Sequence, residues 1–85
     1  MFFVYMLKCR DGSFYTGITN NLKKRLGNHR NGTGSKYVRS RLPFELVYSE
    51  EVQNKSQALK RELKIKALSR KEKINLISKN EMHFH

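Results

Sequence analysis

The sequence predicts an α+β fold: a small antiparallel-leaning sheet of three strands flanked by helices, in the order strand, strand, helix, strand, helix, helix. Three observations predict it. An aromatic and β-branched run opens the chain and is divided from a second such run by Arg10-Asp11-Gly12. A third run, Glu45–Val52, alternates in strand fashion. The remaining segments carry helix caps and apolar residues at helical spacing, and 85 residues leave room for one core only.

Residues 2–9, Phe-Phe-Val-Tyr-Met-Leu-Lys-Cys, contain no breaker and read as a mostly buried strand. Arg10-Asp11-Gly12 suits a three-residue turn with Gly12 in the left-handed position of a G1 bulge. Such a loop pairs residue 9 with 13, Tyr5 with Gly17 and Leu7 with Tyr15. Both tyrosines then lie on one face of the hairpin, as diagonal neighbours about 7–8 Å apart. Ser13–Ile18 forms the second strand. Asn20 or Asn21 caps a helix to about Arg30, with Leu22 and Leu26 inward and Asn31-Gly32 as its stop. Gly32-Thr33-Gly34-Ser35 reads as a flexible loop, and Lys36–Arg41 as a short helical turn ahead of Pro43. In the third strand Phe44, Leu46 and Tyr48 are expected opposite to Glu45, Val47 and Ser49. Asn54 caps a helix to about Leu68, and Ser69 with Glu72 forms a capping box for a last helix to Ser78. One domain, 1–79, with a flexible tail, 80–85, is the expected organisation.

Charge says more than hydrophobicity. Eighteen Lys and Arg against seven Asp and Glu give +11, which attracts polyanions. A single cysteine, Cys9, excludes an internal disulfide and a cysteine zinc cluster and fits a reducing compartment. The apolar run Phe2–Leu7 is too short to span a membrane and lacks the basic start of a signal peptide. The expectation is a cytoplasmic protein, monomeric by preference, with nucleic acid and not a membrane as its partner. No helix-turn-helix, zinc-finger or RNA-recognition signature is present, so sequence-specific readout has no visible machinery.

Several side chains stand out chemically. Glu62 shares a helix face with Ala58 and Ile65, and a carboxylate in an apolar stripe needs a partner. Either a salt bridge to Lys66, Arg61 or Lys55 or a metal ion would supply one, and one carboxylate with substrate phosphate and waters is how Mg²⁺ is usually held. Tyr5 and Tyr15 are either sheet packing or phenols that hold or activate water. Activation requires cations such as Arg25 or Lys8 to favour the phenolate. Arg25 and His29 are four apart on one helix face, suited to charge stabilisation and proton handling at a phosphate, or simply to a solvated basic surface with Lys24 and Arg30. Lys36, Tyr37, Arg39 and Arg41 interleave charge with an aromatic ring, a composition suited to phosphate contacts and base stacking.

Phe3-Val4-Tyr5 and Tyr15-Thr16-Gly17, with Arg25, His29 and Glu62 at these intervals, resemble the GIY-YIG endonuclease domain, most closely its small stand-alone bacterial URI-type members. The chain is also similar to the N-terminal nuclease domain of the excision-repair subunit UvrC. The likeness spans the whole chain, and Gly32–Arg39 and Ala58–Lys66 match the subfamily's own signatures. Phe3 replaces the glycine and Thr16 the isoleucine of the two name motifs. Ile18 stands where some relatives have a lysine, a contact that Lys8 or Lys36 would have to replace.

The resemblance implies the GIY-YIG fold and a metal-dependent endonuclease acting on DNA, structure-specific or in repair. By resemblance Tyr5 is the general base or water-positioning phenol, Tyr15 assists, and Arg25 stabilises the transition state. His29 helps the nucleophile or leaving group, and Glu62 binds one Mg²⁺ or Mn²⁺. Lys8, Lys24, Arg30, Lys36, Tyr37, Arg39 and Arg41 would contact the nucleic acid. The alternative is a non-catalytic basic adaptor for DNA, RNA or a ribosome that retains the fold.

Overall fold

A hairpin organises the molecule, and its turn explains its register. In the computed structural model, which describes residues 1–82, strand β1 (Phe2–Cys9) and strand β2 (Phe14–Thr19) are joined by Arg10-Asp11-Gly12 with Gly12 at φ +83°. The Cys9 N–H donates to Ser13 O at 2.8 Å, and the Gly12 N–H to Cys9 O at 2.9 Å. The Asp11 carboxylate accepts from the Ser13 N–H at 3.0 Å, and its bonds to Ser13 hold it below the usual carboxylate range. The expected three-residue loop therefore forms, and Tyr5 pairs with Gly17 and Leu7 with Tyr15.

Strand β3 (Phe44–Val52) pairs antiparallel with the other side of β1, giving the order β2-β1-β3. Here simple alternation fails. Met6 pairs with Tyr48 but Leu7 pairs with Leu46, so Val47 is an extra residue in a β-bulge. Phe44, opposite Cys9, therefore lies on the Tyr5 side, whereas Val47 and Tyr48 both pack on the other. Leu46, expected on one face with Phe44 and Tyr48, shares a side with Phe44 alone and is left 39% exposed at the sheet edge.

Each sheet face has its own layer of helices. Helix α1 (Leu22–Arg30) and the short α2 (Lys36–Arg39) cover the face bearing Tyr5 and Leu7, with Leu26 and Val38 buried against them. Helix α3 (Lys55–Lys66) and helix α4 (Arg70–Met82) cover the opposite face, where Val4, Met6, Tyr48, Ala58 and Ile65 form the second core. Burying one large apolar side chain is worth about 1.5–3 kcal/mol.

The caps are those the sequence predicts. Asn21 accepts from the Lys24 N–H, Asn54 from the Gln57 N–H, and Ser69 and Glu72 exchange both bonds of a capping box. The last helix runs to Met82 and not to Ser78, so the expected tail 80–85 begins inside α4. Its final three positions, 83–85, lie outside the described residues. No helix among the described residues is long and apolar enough to cross a membrane.

One polar cluster ties α3 to β3. The Tyr48 hydroxyl donates to Glu50 Oε2 at 2.7 Å, and Arg61 Nε donates to Glu50 Oε1 at 3.0 Å. Arg61 precedes Glu62, so this clamp fixes which side of α3 the following carboxylate presents.

Candidate active site

The hairpin register places Tyr5 and Tyr15 on one face with ring centroids 6.4 Å apart. Helix α1 adds Arg25 and His29 from the same side. Arg25 Nε donates to the Tyr5 hydroxyl at 3.4 Å, and His29 Nε2 lies 2.8 Å from that oxygen. Four of the five expected site residues thus meet, through side chains that the sequence could place only on separate elements.

Glu62 comes to the group from the other layer. Its side chain is 16% exposed, between the fully buried Ala58 and Ile65 of α3, and its charge is felt at the Tyr5 phenol. Of its three expected salt-bridge partners, Lys66 is the one engaged, at 3.5 Å, while Arg61 serves Glu50. Its partner Lys66 lines a depression of about 230 Å³ together with Phe14, Tyr15, Thr16, Tyr37 and Lys73. Among the described residues no group of three or more His, Cys, Asp or Glu could hold an ion alone. The donor set nonetheless fits Mg²⁺ held by one carboxylate, with phosphate oxygens and water completing its shell.

Burial reassigns the two aromatic residues nearest Arg25. Tyr5 is 0% and His29 1% exposed, so neither forms the surface that a bound molecule would touch. Burial pushes the Tyr5 phenol up, and this outweighs the lowering by its bond to Arg25. Phenolate formation, the condition for Tyr5 to act as a base, is therefore opposed. Burial, and secondarily the Arg25 charge, pushes the His29 imidazole down, so it stays neutral at pH 7. Arg25 is stabilised as a cation chiefly by its bond to Tyr5. Tyr15 is only half-buried and is the phenol that borders the opening.

Sequence reasoning missed what packs around His29. The Ser35 N–H donates to Nδ1 at 3.4 Å, and a Cβ at Gly34 would lie 2.5 Å from that nitrogen. The segment read as a flexible loop is thus a strap over the imidazole. Tyr15 and Phe44 close its sides in edge-on contacts at 5.4 and 6.0 Å. The Gly-x-Gly spacing a few residues beyond the histidine was the available signal, since paired glycines allow close backbone approach.

The expected nucleic-acid contacts divide. Lys24, Arg30, Lys36 and Arg39 lie on α1 and α2, on the Tyr5 side of the sheet, and all four are exposed. Lys8 is not with them. Strand alternation turns it to the opposite face, where it lines a depression with Phe14, Arg70 and Ile74, so it can neither aid Tyr5 nor replace the lysine missing at Ile18. Arg41 is committed internally: it binds Asp11 at 3.0 Å and the Tyr37 carbonyl at 3.1 Å, and lies 3.8 Å over the Tyr37 ring. Tyr37 also stacks on Tyr15 at 6.1 Å, which leaves its ring a wall of the depression more than a free platform for a base.

The fold is thus a three-stranded sheet between two helical layers, with two phenols, a guanidinium and an imidazole grouped on one face and a helical carboxylate in the other layer. The GIY-YIG catalytic domain matches residues 1–75, and the chain belongs to that family. It is 55% identical over 78 residues to a UPF0213 protein of Clostridium perfringens, covering 92% of this chain and 84% of that one. It is 50% identical over 76 residues to a UPF0213 protein of Staphylococcus saprophyticus, covering 89% and 93%. Among solved structures it resembles the solution NMR structure of a UPF0213 protein from Bacillus halodurans, with TM-score 0.60, 43% identity and coverage of 92% and 84%. A second NMR structure, of a protein from E. faecalis, aligns with TM-score 0.63, 36% identity and coverage of 98% and 86%.

Proposed function

We propose that this protein is a metal-dependent endonuclease that hydrolyses phosphodiester bonds in DNA, with branched or otherwise structured DNA as its substrate and a role in repair. One observation carries the reading: Arg25 bonds Tyr5, whose ring lies 6.4 Å from that of Tyr15, and Tyr15 lines an opening with Tyr37 and with Lys66, the partner of Glu62. Arg25, oriented by Tyr5, would take up charge as the phosphate passes through its transition state. Tyr15, the more accessible phenol, would position the attacking water. Tyr5 and His29 act beneath it as positioning residues, holding the guanidinium and excluding water from its inner side. Glu62 is suited to hold Mg²⁺ or Mn²⁺, which when bound would polarise the phosphate and the leaving oxygen.

The test is a panel of nicked, flapped and forked DNA with Mg²⁺ added and removed. Cleavage should need the ion and be lost in Glu62→Ala while DNA binding is largely kept. If every substrate stays intact under all metals in wild type and variant alike, the adaptor reading replaces this one.

A further inference from the structure

In the free protein the carboxylate of α3 is occupied. Lys66 Nζ lies 3.5 Å from Glu62 Oε2, one helical turn away, and Glu62 is the only acid in that helix. The two partners differ in setting: the Glu62 side chain is 16% exposed and that of Lys66 is 53% exposed. The acid is therefore held by its surroundings, while the ammonium sits on a flexible stem that can leave. Its destination is also defined, because Lys66 lines the depression together with Lys73, Tyr15 and Tyr37. Two ammonium groups and two aromatic rings around one opening suit a nucleotide phosphate.

We propose that Lys66 is a built-in counter-ion of Glu62 that makes divalent-ion binding depend on the arrival of a nucleic-acid phosphate, an inference that rests on the nuclease reading above. With one carboxylate as the protein's contribution, an ion entering the free site meets an ammonium a few ångströms away. Even at the dielectric of water, a +2 and a +1 charge about 5 Å apart repel enough to weaken binding by roughly tenfold. A phosphate entering the depression offers Lys66 an alternative partner, releases the Glu62 oxygen and adds oxygen ligands of its own. Ion and substrate must then strengthen each other's binding by the same factor. The pairing keeps the free protein from holding a loaded ion away from its substrate.

The experiment measures Mn²⁺ binding, from the decrease of the free-ion electron paramagnetic resonance signal, with and without a flapped DNA oligonucleotide carrying phosphorothioate linkages. Wild type, Lys66→Met and Glu62→Gln are compared, and Glu62→Gln subtracts ion held by the DNA alone. The expected result is wild-type affinity raised about tenfold or more by DNA, and Lys66→Met affinity already raised about three- to tenfold without DNA. Lys66→Gln should match Lys66→Met, which guards against a variant that folds poorly. Unchanged Mn²⁺ affinity in both Lys66 variants, or no effect of DNA on wild type, overturns the coupling while leaving cleavage as a separate result. If Glu62→Gln titrates like wild type in every arm, the assignment of Glu62 as ion ligand falls and the coupling with it.

Discussion

Gly17 lies directly across the ladder from Tyr5, and a Cβ built there would stand 2.6 Å from the Tyr5 hydroxyl oxygen and 2.7 Å from its ring carbon. The tyrosine ring lies flat over a bare backbone position, which brings its oxygen to both Arg25 and His29. Gly17→Ala should displace the ring, cost about 1–3 kcal/mol of stability and abolish cleavage more completely than that destabilisation explains. Urea denaturation set beside the turnover rate separates the two effects. A variant with full activity would show that this hydroxyl is not needed where it stands.

Arg25 touches the site but supports little of the core. Replacing it with alanine should lower kcat by about 10²–10³-fold with DNA affinity changed far less, as expected of a group aimed at developing charge. Arg25→Lys should restore little, because lysine cannot keep its bond to Tyr5 and present a second donor in a fixed plane. Rate and binding measured on one substrate test this split.

Stability should depend on pH through His29. Its folded value is held below the ordinary 6.5, so between the two values the unfolded chain binds a proton that the folded chain refuses. The contribution is present above the unfolded value and is lost as pH falls through the folded one, at no more than about 1.4 kcal/mol per pH unit. Denaturation midpoints between pH 8 and 5 should decline in wild type and stay flatter in His29→Gln.

Glu50 carries two partners, Tyr48 and Arg61, with its side chain 29% exposed. Glu50→Gln should cost about 1 kcal/mol, a modest figure because the pair is partly in solvent. It should also loosen α3 and reduce Mn²⁺ affinity at Glu62 although Glu50 lies off the site. Ion titration of a variant that stays folded checks the second effect.

Binding to DNA should weaken steeply with salt, and removing Lys24, Arg30, Lys36 or Arg39 singly should flatten the slope by about 0.9 for each phosphate left unneutralised. Lys8→Ala should leave the slope unchanged, since Lys8 lies on the other face of the sheet. Affinity measured at several ionic strengths decides between them.

Local signals made most of the fold legible. The Gly12 turn set the hairpin register, and the Asn21, Asn54 and Ser69 caps set where helices start, because each acts within a few residues of itself. Register put Tyr5 with Tyr15 and helical spacing put Arg25 with His29, while only the resemblance joined the two pairs. Depth was not legible. Whether Tyr5 or Tyr15 meets solvent depends on how α1 and the strap after it settle over the hairpin, and that packing involves residues far apart in sequence. The side of the sheet that Phe44 takes was hidden too, since the extra residue at Val47 has no mark of its own in the alternation.

That extra residue gives one strand two allegiances. Counted by twos, Phe44 and Tyr48 should share a side, yet the irregular step between them sends the first to the imidazole and the second to the scaffold layer. The leading half of β3 thus belongs to the chemistry and the trailing half to the anchorage of α3. Shortening the strand by its odd member would restore an unbroken ladder without moving either aromatic ring across the sheet.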